Sequence, residues 1–137
     1  MGTGVVGGYV QLSLDGLLVA AGLYAPAKDQ LDRLRRAIDS GPVAGALTRA
    51  LDAAVAADLR LGEAELKRAP RGYALDHPRI ELLRRKRMTV SKLEPLEAWL
   101  HTPEAGHRIH GLLDAAAPLV TWLERHVGPS ELPARTR

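Results

Sequence analysis

Tyr9-Val10-Gln11-Leu12-Ser13-Leu14-Asp15-Gly16-Leu17-Leu18-Val19-Ala20-Ala21 sets the architecture of this chain. Val10, Leu12 and Leu14 alternate with Tyr9, Gln11 and Ser13, the period of a half-buried strand. Asp15-Gly16 is a pair favoured where both central residues of a tight turn need positive φ. The apolar run from Leu17 to Ala21 then reads as a second, more buried strand ending near Tyr24. The stretch predicts a β-hairpin.

Helices follow the hairpin. Pro26 suits a first helical turn, where a missing N–H costs nothing. Leu31, Leu34 and Ile38 then keep one helical face, with Asp29, Arg33, Arg35 and Arg36 facing away. Gly41-Pro42 breaks this helix and starts another, on which Val43, Leu47, Leu51 and Val55 form a stripe and Gly62 marks the end. Asp76 is a candidate cap for a short helix carrying Ile80, Leu82 and Leu83. Met88 to Leu93 reads as a strand and Leu96 to Leu100 as one helical turn. Thr102-Pro103-Glu104 opens a long last helix, with a capping hydroxyl, a proline and an acid at the positive end of the dipole. Ile109, Leu112, Leu113, Ala116, Leu119, Val120 and Leu123 share its apolar face, and Gly128-Pro129 stops it. Pro118 within that span is expected to kink it or free a carbonyl. The expectation is α+β: an antiparallel hairpin or small sheet packed against several helices, as one domain over residues 1–129 with 130–137 a disordered tail.

The 137 residues suit a single domain of about 100–150 residues. Absence of cysteine removes disulfides, thiolate chemistry and Cys-ligated zinc, and fits a reducing cytoplasm. No signal-peptide pattern is visible. No apolar run approaches the roughly 20 residues that span a bilayer. With no Phe and five aromatic residues, base-stacking platforms have little to work with.

Gly2-Thr3-Gly4-Val5-Val6-Gly7 matches a dinucleotide fingerprint literally, but that motif needs a strand before it and a helix after it. Here a strand follows, and a mobile N-terminus is expected instead. Glu104, His107, His110 and Asp114 have helical spacing for a metal, yet they fall opposite the apolar face, where solvated side chains belong. No metal and no cofactor is expected. No nucleophile elbow, phosphate loop or zinc-protease motif occurs.

The charge is local. Nine bases (Lys67, Arg68, Arg71, Arg79, Arg84, Arg85, Lys86, Arg87 and Lys92) face only Asp76 and Glu81 in the same segment, so it carries +7 and the remainder −4, within an overall +3. Arg84 to Arg87 cannot all share one side of a helix, because successive residues are about 100° apart. Lys67, Arg68 and Arg71 differ, since the Pro70/Gly72 turn fixes their backbone and a fixed fork can grip an anion. With Tyr73 and His77 close by, these residues form the candidate anion site. The same cations could instead pair with carboxylates such as Asp76.

Leu66-Lys67-Arg68-Ala69-Pro70-Arg71-Gly72-Tyr73, followed by Asp76-His77-Pro78 and Ile80-Glu81-Leu82-Leu83-Arg84, closely resembles a signature of the conserved hypothetical proteins grouped as domain-of-unknown-function family 2461. Gly8-Tyr9-Val10-Gln11-Leu12-Ser13, Tyr24-Ala25-Pro26 with Asp29-Gln30-Leu31, and Trp99-Leu100-His101-Thr102-Pro103-Glu104 look like further parts in the same order. The resemblance covers roughly Gly7 to Pro129. It implies a soluble bacterial α+β protein of unknown activity. Members usually carry a segment before the hairpin, so this chain reads as an N-terminally shortened one. An uncovered strand edge then predicts self-association, with Tyr9–Leu14 pairing across a two-fold axis as in a homodimer.

The leading functional expectation is a binding or accessory protein presenting Lys67, Arg68 and Arg71 to an acidic small molecule or protein partner. Alternatives are a small cofactor-independent enzyme acting on an acidic metabolite, with His77 or Tyr73 as acid/base, and weak nucleic-acid binding through Arg79 to Arg87. Of the partners, nucleic acid is the less expected and a membrane is not expected.

Overall fold

A computed structural model describes residues 5–133. The opening glycines Gly2 and Gly4, and positions 134–137 of the expected tail, lie outside the described residues. The hairpin is β1 (Val6–Ser13) and β2 (Gly16–Leu23), paired antiparallel with Val6 opposite Leu23 and Ser13 opposite Gly16. That register makes Leu14-Asp15 the loop pair, one position earlier than Asp15-Gly16. Ser13 Oγ accepts the Asp15 N–H at 3.2 Å, so the loop is closed without positive φ at Asp15. Gly16 is needed for another reason. Its φ of 137° brings β2 so close to the next strand that a Cβ would lie 2.1 Å from the Glu94 carbonyl oxygen.

α1 (Lys28–Asp39) and α2 (Gly41–Ala56) follow, then β3 (Arg60–Leu61), the one-turn α3 (Ile80–Leu83), β4 (Met88–Glu94), a 3-10 turn over Ala98–His101, and α4 (Pro103–His126). β4 lies antiparallel to β2, with Leu17 opposite Glu94 and Leu23 opposite Met88, and β3 pairs with its far side. The sheet order is β1-β2-β4-β3. β2 is therefore interior, and its residues are buried except Leu18. Leu17, Val19, Ala21 and Leu23 meet Met88 and Val90 on one sheet face, under Leu34 and Ile38 of α1, Leu47 and Leu51 of α2, and Leu119 and Leu123 of α4. The fold is α+β as expected, with a four-stranded antiparallel sheet and a long last helix.

Several local readings shift. Pro26 precedes α1 rather than entering it. The buried line of α2 is Ala44, Leu47, Ala50, Leu51 and Ala54, and Val55 is 54% exposed; the alanines allow close approach and rotate the stripe by one position. α2 ends before Gly62, with Asp58 in the left-handed conformation (φ 73°) and the Leu59 N–H returning to the Ala54 carbonyl. Asp76 does not cap α3, whose N-terminal flank is Arg79. Thr102 does cap α4, its Oγ1 accepting from the Glu104 N–H. α4 runs unbroken through Pro118, and Trp122 is tied to α2 by its indole N–H to the Val43 carbonyl, 2.9 Å.

The end of α4 is clasped by the start of α1. Gln30 is fully buried; its Oε1 accepts the Ala27 N–H and its Nε2 donates to the Gly128 carbonyl, both at 2.9 Å. Arg33 donates to the carbonyls of Val127 and Pro129, a cation at the negative end of a helix dipole. Asp29 accepts from Arg33, from the Ser130 hydroxyl and from the Glu131 N–H. Desolvation pushes the Asp29 carboxyl up, but these hydrogen bonds outweigh it and hold its pKa at about 2. A folded-state pKa below the ordinary 3.8 contributes stability above that value, lost as pH falls toward 2. Thermal melts should therefore show a decline between about pH 4 and pH 2 that is smaller in Asp29→Asn; equal declines would refute the role.

The outer edge of β1 meets no strand among the described residues. From Val6 to Leu14 it carries no charge and no proline, and Leu12 and Leu14 are 67% and 95% exposed. Among the described residues, no helix is long and apolar enough to cross a membrane.

Candidate anion-binding groove

The segment between β3 and α3 has no regular structure, yet its backbone is pinned. Pro70 is buried, and the Tyr73 N–H reaches the Pro70 carbonyl at 3.1 Å. With Gly72 at φ 90°, this is the geometry of a type II turn, whose third position requires positive φ. Arg71, at the second position, projects from the turn and is exposed, while Tyr73 packs against the core.

The turn lies beside one face of α1. Lys28, Leu31, Asp32, Arg35 and Arg36 join Arg71 and Tyr73 to line an open groove of about 550 Å³. Four cations thus face a single carboxylate. Arg35 is half-buried, and its Nε has no hydrogen-bond partner. Burial pulls the Arg35 pKa down against the opposing pull of Asp32 and Tyr73. Burial, then the Asp39 charge, raise the Tyr73 pKa, with Arg35 and Arg36 opposing. Tyr73 consequently stays protonated.

The other expected site residues go elsewhere. Lys67 and Arg68 are exposed and lie outside the groove. His77 sits at the edge of the Tyr73 ring, centroids 6.4 Å apart. Its Nδ1 accepts the Arg79 N–H at 3.0 Å, so Nε2 carries the proton and donates to Asp39 Oδ1 at 2.6 Å. Both ring nitrogens are occupied. Asp76 makes no ion pair with Lys67 or Arg71 among the described residues.

Much of the basic run is structural. Arg79 donates to the carbonyls of Ile38 and Asp39 at the end of α1. Arg84 donates to the Leu66 carbonyl and Arg85 to those of Gly62 and Glu81, while Arg87 pairs with Glu65. Lys92 lies between Asp58 and Glu94. These guanidinium forks satisfy carbonyls that an irregular loop would otherwise leave unpaired. His107, His110 and Asp114 are exposed on α4, with His110 Nε2 3.3 Å from Asp114. Among the described residues, no three His, Asp or Glu side chains come together to hold a metal.

Lys28, Asp32, Arg35 and Arg36 escaped the sequence reading, which sent the α1 arginines to solvent. Their spacing of i, i+4, i+7 and i+8 was the available signal, because it places all four on one helical face.

An α+β protein with a four-stranded antiparallel sheet and a cationic groove beside its first helix is the class these features define. The family model described as conserved hypothetical protein (DUF2461) matches residues 2–122, and the chain belongs to that family. No curated protein and no solved structure matches it.

Proposed function

We propose that the chain is a binding protein for a small acidic molecule, held in the groove between α1 and the Pro70–Tyr73 turn. The observation that carries this reading is the convergence of Lys28, Arg35, Arg36 and Arg71 on one concavity that contains a single carboxylate. A buried Arg35 Nε without a partner supports it, since buried donors are nearly always satisfied in native proteins. The engagement of both His77 nitrogens counts against the enzymatic alternative. The carbonyl-bound state of Arg79, Arg84 and Arg85 counts against a nucleic-acid face there.

Titration calorimetry with inorganic phosphate and with citrate tests the reading. Arg71→Ala and Arg35→Ala should each weaken binding by about tenfold or more, the cost of one hydrogen bond to a charged group. Lys67→Ala should leave it unchanged. Absence of binding by either anion retires the proposal.

The same reading includes a second copy of the chain on β1. An antiparallel β1–β1 contact across a two-fold axis satisfies the open backbone edge with an equally uncharged strand and covers Val10 and Leu12. Light scattering should then report a dimer that Leu12→Lys converts to a monomer. A wild-type monomer at high micromolar concentration excludes it.

A further inference from the structure

We propose that the groove selects a small ligand bearing both a phosphate-like anion and an ammonium group; this rests on the anion-binding reading above. The reason is Asp32. It is exposed on the groove-lining face of α1, among Lys28 four residues before it and Arg35 and Arg36 three and four residues after. Despite those neighbours it forms no ion pair among the described residues, whereas Asp29 on the same helix pairs with Arg33. The carboxylate therefore remains available within a groove otherwise built for negative charge.

A ligand that is anionic throughout meets repulsion at Asp32. A ligand with an anionic end and a cationic end satisfies both signs. Residues three or four apart on a helix have Cβ atoms about 5–6 Å apart, so the two ligand charges should be separated by a similar span. Leu31, also on the groove wall, offers apolar contact for the carbons that link them. Nucleic acid fits poorly by the same argument, because a regular row of phosphates brings one onto Asp32.

A matched pair of probes tests this: 3-aminopropyl phosphate and propyl phosphate, alike in length and differing in the ammonium group. Titration calorimetry at low ionic strength should find the aminated compound bound about fivefold more tightly, the upper value for a solvent-exposed ion pair. Asp32→Asn should erase that ratio while binding propyl phosphate at least as tightly as wild type does. Because Asp32 is exposed, the variant should keep its fold, which circular dichroism checks. Equal affinities for the two compounds in wild type, or a ratio that survives in Asp32→Asn, overturn the selectivity and leave anion binding standing. If neither compound nor inorganic phosphate binds, the anion-binding reading falls, and this inference with it.

Discussion

Gly22→Ala should cost about 2–5 kcal/mol, from a left-handed backbone forced on an L-residue plus overpacking. Gly22 sits at φ 137°, and a Cβ there would lie 2.1 Å from the Met88 carbonyl oxygen and 2.8 Å from the Thr89 Cα. Those atoms belong to the backbone of β4, which is hydrogen-bonded to β2 along the sheet with Gly22 opposite Thr89 and Leu23 opposite Met88. They cannot step aside without opening the middle of the sheet. A typical domain has only about 5–15 kcal/mol of stability in total, so the variant should be marginal or unfolded. Gly7 provides the control: it is the β1 partner of Gly22, and a Cβ there meets nothing within 4 Å. Gly7→Ala should keep the wild-type denaturation midpoint. A normal midpoint for Gly22→Ala would show that the two strands are not so closely apposed.

Gln30→Leu should destabilise by about 2–4 kcal/mol, because it leaves two part-buried backbone groups without their partner, each in the lower part of the about 1–3 kcal/mol that an unmade buried bond costs. The Ala27 N–H and the Gly128 carbonyl both depend on this side chain, and leucine offers neither an acceptor nor a donor. The loss should be localised. Hydrogen exchange at Val127 to Glu131 should accelerate more than in β2, since Arg33 and Asp29 hold the same segment from the neighbouring turn of α1. Uniform acceleration across the chain would mean that Gln30 acts through the general core.

The hairpin was legible because β2 is a continuous apolar run and β1 alternates in sequence, but the half-buried face expected of Val10, Leu12 and Leu14 is not formed: β1 is the edge strand and is exposed on both faces from Gly8 onward. The loop lies one residue earlier than the Asp-Gly pair suggests, since Gly16 answers to Glu94 of β4, 78 residues further on, and no local pattern announces that pairing. Hydrophobicity alone puts Val55 in the α2 stripe, whereas close packing of helices favours Ala54. The basic segment shows the same limit. Charge can be counted along a chain, but whether a guanidinium reaches solvent or a carbonyl depends on the fold. Arg79 and Arg84 reach carbonyls, Arg71 does not, and the sequence assigns all three the same sign.

The bond from Arg79 to the Ile38 and Asp39 carbonyls, with His77 on Asp39, fastens the loop that carries Arg71 to the helix that carries Arg35. The two walls are therefore linked by hydrogen bonds before any ligand arrives. If the groove binds as we propose, capture needs no closing motion, and the encounter rate should follow solvent viscosity and ionic strength rather than any slow rearrangement of the protein.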